Sequence, residues 1–423
     1  MPDSSRTQPV AFNCEGGLVL NRSNFIMQPG EALELENFEP DISGGYRRIS
    51  GFRKYVNAIV PQTSSSSELL LMVAKFDNKV LAARGEKIFS AASAELSIAI
   101  ASGTGMTGSG TITVPSTTGF SSSGTLQINS ELFTYTGVTS TTFTGVTRAT
   151  SSTTAATHAK LDVVSESWTE RDTGRTSAKK YNFERFNFDG NEKIILVDQT
   201  NAPVVFNTSL SATDVSTSSV VGSTVVAAYR NHMFYAGKST TPQEIVFSEP
   251  FNEDGFSSGA GAGSIKVDDT VVALKVFRDS LFIFCENRIF KLTGSSLSDF
   301  AVQPVTRNIG CVNGFTVQEF AGDLIFLGPD GLRTVAATAR IGDTELGTIS
   351  KNIQTVFDEN IKDAGSFDSV VIPDKTQYRI FFTKDGQGQT LSKGAICVLK
   401  KEAFEFSETR GIQVACTDTF VES

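Results

Sequence analysis

The chain has 423 residues, 39% of them hydrophobic, enough to bury a large core as two or three domains or as one repeat architecture. Its 46 acidic and 37 basic residues leave a net charge of −9, which excludes a general electrostatic attraction for nucleic acid. Five scattered cysteines, Cys14, Cys285, Cys311, Cys397 and Cys416, form no CxxC pair, so they read as buried thiols rather than a disulfide or zinc framework.

The N-terminal stretch MPDSSRTQPV lacks the apolar core of a signal peptide, and no apolar run approaches the ~20 residues of a membrane span. A soluble protein made in the cytoplasm is expected. Residues 1–60 then carry Gly16-Gly17-Leu18-Val19-Leu20, a Pro29-Gly30 turn, and Glu31 to Leu35, which could start a short helix. Arg47, Arg48, Arg53 and Lys54 form a local basic cluster. Such a cluster is either a solvated face or a contact with acidic surface or phosphate. A neighbouring subunit is the preferred partner, because a homo-oligomer guarantees an acidic copy.

The order G-L-x-L-N, P-G-E-A-x-x-L-E-N-F, then G-x-R-R-x-x-G-F-x-K-Y resembles the opening of the nozzle, or packaged-DNA-stabilisation, family of tail proteins from short-tailed bacteriophages. That resemblance implies a β-propeller assembled as a hexameric ring around the DNA exit channel. It also implies a virion-tail location, a tail adaptor protein and tail fibres as partners, and double-stranded DNA passing through the lumen.

Beyond residue 60 a short signature recurs: an aromatic, two turn residues, then an apolar run. It appears at Phe76-Asp77-Asn78, Tyr229-Arg230-Asn231, Phe277-Arg278-Asp279 and Phe320-Ala321-Gly322, with looser copies at Phe188-Asp189-Gly190 and Pro373-Asp374-Lys375. Successive copies from Phe188 onward are spaced by roughly 40 to 50 residues, the length of a four-stranded propeller blade. Within Thr270 to Leu292 the pattern reads as three successive strands. The chain is therefore expected to be all-β, a six-bladed β-propeller over 61–97 and 161–423. Its 32 phenylalanines, against one tryptophan, read as packing between blades.

Residues 98–160 interrupt the first repeat. Between Ser97 and His158 the only charges are Glu131 and Arg148, and Ser, Thr and Gly dominate, yet Thr111–Val114, Gly124–Ile128, Leu132–Tyr135 and Thr142–Val146 alternate as strands do. The segment reads as a small β module inserted between Lys87-Ile88-Phe89 and Ser167-Trp168-Thr169, and it resembles a module that recurs in phage structural proteins. Further on, Glu249 to Asp269 reads as a long loop. It carries Glu249, Glu253, Asp254, Asp268 and Asp269 and the run Gly259 to Gly263, without the Lys-Ser/Thr or helix of a phosphate loop. Ser350 is the expected cap of a helix presenting Ile353, Val356 and Phe357, and Gly411 to Cys416 is expected to return to the first blade and cover its edge.

No catalytic, metal or cofactor site emerges. His158 lies at the edge of the module and His232 in an expected hairpin turn, neither with a catalytic constellation. The leading expectation is a structural tail component that retains packaged DNA and conducts it during ejection. Its acidic balance would keep DNA from sticking, and the acidic loop would serve as the channel gate. A receptor- or glycan-binding tail propeller is the alternative, and an enzyme using paired carboxylates is the third reading.

Overall fold

A computed structural model describes residues 15–41, 44–63, 68–176, 179–336, 347–362, 365–383, 392–400 and 403–419. Cys14 and the stretch MPDSSRTQPV lie outside them. The chain divides into two compact units, one of Met1–Ser50, Phe277–Thr293 and Ala301–Val414, the other of Gly51–Val276, Gly294–Phe300 and Ala415–Ser423. Nearly all regular structure is antiparallel sheet. No described helix is long and apolar enough to cross a membrane.

In the second unit, three four-stranded meanders follow one another. The first joins Leu70–Phe76, Lys79–Arg84, Lys87–Ala91 and Thr169–Asp172. The second runs Asn182–Asn187, Glu192–Val197, Val204–Asn207, Ala212–Asp214, and the third Val225–Tyr229, His232–Ala236, Glu244–Phe247, Gly263–Lys266. The unbroken apolar run Ile194 to Val197 is explained by its two covered faces. Ile194 and Leu196 pack with Phe76, Leu81 and Ile88 of the first sheet, while Ile195 and Val197 pack with Val226, Met233 and Tyr235 of the third. Each fully buried side chain of this size contributes about 1.5–3 kcal/mol.

The recurrent hairpin turn is the same object in both units. Asp77, Arg230, Arg278 and Ala321 all sit at φ between 50° and 54°, the left-handed region that short hairpins require. His232 is not in that turn, as its sequence context suggests, but opens the next strand. It is buried, with Nδ1 2.6 Å from the Ser248 carbonyl and its ring against Phe247 and Phe300.

After Lys87–Ala91 the chain leaves the first meander, and it returns as Thr169–Asp172, which pairs back with it (Thr169↔Ser90, Glu170↔Phe89). What lies between is a seven-stranded sheet around Leu126, Ile128, Phe133, Phe143 and Val164. The sheet outruns the expected limits of 98 and 160, because Ser93–Glu95 and Val163–Glu166 pair with each other and belong to it.

In the first unit, Gln318–Phe320, Asp323–Gly328 and Gly331–Thr334 form one sheet. Ser366–Ile372, Gln377–Thr383, Lys393–Lys400 and Ala403–Arg410 form another. Helix Gln354–Ile361 buries Val356 and Phe357 in this core, but Ser350 does not cap it. Its hydroxyl accepts the Leu332 N–H at 3.0 Å, tying the helix entry to a strand.

The N-terminal segment also departs from expectation. Glu31–Ala32 is a short strand parallel to Gly17–Leu18, not a helix start, and Phe38–Pro40 pairs with Tyr46–Arg48. Gly17 is held at φ 71° with Phe406 backbone 3.2 Å from where a Cβ would stand, so a side chain there would be strained and crowded. Asn37 N–H donates to Glu408 O at 2.8 Å and Glu408 N–H to Leu35 O at 3.0 Å, so the N-terminal segment covers the last strand's edge. The C-terminal end adds no strand among the described residues, so the expected return of Gly411 to Cys416 to the first blade is not made by strand pairing. In the second unit the Asp418 carboxylate instead accepts the Lys75 N–H at 2.7 Å and pairs with Arg185.

Candidate functional site

Of the four basic residues, Arg47 and Arg48 belong to one unit and Arg53 and Lys54 to the other. Arg47 sits beside Glu39 (Nε to Oε1 3.1 Å) and Asp41 (3.6 Å). Glu39 is fully buried and also receives Lys375 at 2.7 Å, Arg379 at 2.7 Å and Gln377 at 3.3 Å. Burial pushes the Glu39 carboxyl up, but Lys375, Gln377 and Arg379 outweigh it and hold the group below the ordinary range. With Tyr46 Oη donating to Glu405 at 2.8 Å, this network clasps the Phe38–Arg48 hairpin onto the last sheet. Arg53 pairs with Glu95 of the module sheet. Arg48 and Lys54 are exposed, with no carboxylate in ion-pairing reach among the described residues.

The acidic segment is not an open loop. Gly263–Lys266 is the fourth strand of the third meander, and Gly263 is needed there because a Cβ would stand 2.8 Å from the Phe247 ring. Glu249 folds the preceding turn, accepting from Asn252 Nδ2 at 3.1 Å and Ser257 N–H at 2.9 Å. Glu253 is buried and paired with Lys193, while its carbonyl accepts the Tyr235 hydroxyl at 2.7 Å. The Asp269 carboxylate accepts the Thr270 N–H at 2.9 Å; Asp254 and Asp268 are exposed. Glu249, Glu253 and Asp269 are therefore engaged within the fold, and the segment is held at both ends.

Sequence reasoning missed a network around Glu131. Its carboxylate takes Arg148 (Nε 2.9 Å, Nη2 2.8 Å), His158 Nε2 at 2.8 Å, and the N–H groups of Ala149 and Ala156. All three side chains are buried. Burial pushes the Glu131 carboxyl up, but Arg148, Ala156 N–H and His158 prevail and hold it at about 2. Arg148 also donates to the carbonyls of Ala101, Thr104 and Ala156, closing the loops at that end of the module. The signal was visible: two lone opposite charges in an otherwise neutral segment.

A cleft of about 440 Å³ lies in the second unit. Tyr55, Ala58, Ile59, Val60, Val80 and Trp168 line it, with Lys54, Lys75 and Asp418 alongside. Trp168 Nε1 donates to Ala58 O at 2.9 Å, and Lys75 Nζ donates to the Tyr55 hydroxyl at 2.7 Å, so both aromatic walls are fixed. No group of three or more metal-ligating side chains occurs among the described residues.

No family model and no curated protein matches the chain. Among solved structures it is similar to the phage phi92 endosialidase, at 13% identity and TM-score 0.34 over 63% of this chain and 54% of that one. It is also similar to Hsv2p of Kluyveromyces lactis (9%, TM-score 0.33, 80% and 97% covered). A quinonprotein alcohol dehydrogenase-like protein of Bacteroides thetaiotaomicron gives 8% and TM-score 0.35, with 78% and 81% covered. The chain spans about half the length of the endosialidase. Likenesses at this level assign neither family nor activity.

Proposed function

We propose that this chain is a non-enzymatic structural subunit of a bacteriophage tail, a six-bladed propeller of the nozzle type that assembles in a ring around the DNA exit path. The observation that carries this reading is the N-terminal segment. The residues that resemble the nozzle opening are the ones that build its attachment: Gly17 at the close approach to Phe406, Asn37 on the last strand, and Tyr46 and Arg47 in the clasp. A net charge of −9 suits a lumen that conducts DNA without holding it. Contact with a neighbouring subunit or an adaptor passes to Arg48 and Lys54, since Arg47 and Arg53 are engaged within their own units.

Negative-stain images and native mass spectrometry of the purified protein test this directly. Closed rings that show no salt-sensitive affinity for duplex DNA are the expected result. A monomer at tens of micromolar, or tight DNA binding lost steeply as salt rises, would refute it.

A further inference from the structure

The first unit displays a phenylalanine that nothing covers among the described residues. Phe25 is 99% exposed and Ile26 beside it 62%, on the short 3-10 turn Asn24–Ile26. The turn is not slack. Ile26 N–H donates to Ser23 O at 3.0 Å, and the Glu31 carboxylate takes Arg22 on one side (2.6 Å) and the Gln28 N–H on the other (2.8 Å). A carboxylate thus fixes both flanks of a turn whose tip is apolar and in water. An exposed apolar group on a rigid support is the form of a preorganised contact.

The same chain carries a receptor of matching chemistry in its second unit, the apolar cleft beside Tyr55 and Trp168. Its lip is Ile59, itself 84% exposed, and its aromatic walls are locked by the hydrogen bonds to Ala58 O and from Lys75. At about 440 Å³ it has room for one aromatic and one branched aliphatic side chain.

We infer that Phe25 and Ile26 of one copy insert into the Ile59–Trp168 cleft of the next copy, and that this heterologous contact builds the oligomer. The inference rests on the ring reading above, and it names the surfaces that join the copies. Different patches meeting head to tail propagate from copy to copy and close into a ring when the rotation permits, whereas a self-complementary patch stops at a dimer. The pair buries on the order of 300 Å² on the inserted side, well below the roughly 800 Å² per partner of a stable interface. It is therefore the anchor of a larger contact, the position where single substitutions cost most.

The test uses the full chain with two variants, Phe25→Ser and Ile59→Arg. Both positions are exposed, so circular dichroism and melting temperature should match the parent. Each variant alone should lose oligomers, with association weakened at least tenfold. Mixed one to one, a copy lacking the insert and a copy lacking the receptor still share one intact contact, so native mass spectrometry should show heterodimers and nothing larger. Rings that persist in either variant, or a mixture that stays monomeric, overturn the inference while leaving the ring reading intact. A parent protein that is itself monomeric refutes the ring reading, and the inference with it.

Discussion

Glu39 and Glu131 are both fully buried and both gather cations, but they act over different distances along the chain. Glu131 reaches Arg148 and His158, 17 and 27 residues away, and ties together one end of the inserted module. Glu39 reaches Lys375, Gln377 and Arg379, 336 to 340 residues away, and fastens an N-terminal hairpin to the last sheet. Their partners differ in exposure too. Arg148 and His158 are sealed, whereas Arg47 is half exposed and Lys375 a quarter exposed, so water can take over if Glu39 is lost. The first network is a keystone and the second a clasp.

The largest expected effect comes from removing the keystone. Glu131→Leu leaves Arg148 buried without a counter-charge and should destabilise the module by about 3–5 kcal/mol, measured by urea unfolding. Adding Arg148→Met should recover most of that loss, because an apolar pair has no desolvation penalty. A single-variant loss under about 1 kcal/mol would break the keystone reading.

Removing the clasp should cost less, about 2 kcal/mol for Glu39→Gln, since only Arg379 among its cations is nearly sealed. The telling readout is limited proteolysis. The Phe38–Arg48 hairpin should become cleavable while Ser366–Arg410 stays protected. Equal sensitivity of both would show that hairpin and sheet unfold together, and the distinction between keystone and clasp would collapse.

Acid separates the same two groups. Both carboxyls are depressed in the folded state, so each contributes stability that is complete above its unfolded value of 4.5 and lost as pH falls. For Glu131 the loss runs from about 4.5 down to about 2. Melting temperature should therefore fall across that window in the parent and much less in the doubly substituted Glu131→Leu, Arg148→Met chain. An equal fall in both would place the acid sensitivity elsewhere.

The sequence made much of this legible and concealed the rest for physical reasons. The hairpin signature was readable because a two-residue turn restricts its residues, and Asp77, Arg230, Arg278 and Ala321 all take the left-handed conformation it demands. The module stood out by composition, and its two lone charges announced a pair. Glu39 was illegible because Lys375, Gln377 and Arg379 lie more than 300 residues away, and Arg47 nearby does not separate a clasp from a solvated ion pair. The strand Gly263–Lys266 was hidden by its own glycine, which reads as loop until the Phe247 ring above it is seen. Ser350 sits one turn before a helix, as a cap does, but a strand N–H claimed its hydroxyl first.

The smallest effect should come from the Arg53–Glu95 pair, the exposed counterpart of both networks. Arg53 is 59% exposed and Glu95 37%, and a surface pair of this kind is worth about 0.2–1 kcal/mol at most. Arg53→Ala should therefore leave urea unfolding of the module within that range, and the difference should vanish in high salt as the Debye length shrinks to about 3 Å at 1 M. The guanidinium also reaches Leu161 O at 3.4 Å, a contact too long to add much. A larger, salt-independent loss would mean that Arg53 anchors residues 51–60 to the module as Arg47 helps anchor the hairpin. Exposure would then be a poor guide to which ion pairs hold this chain together, and the ranking of Glu131 above Glu39 would lose its basis.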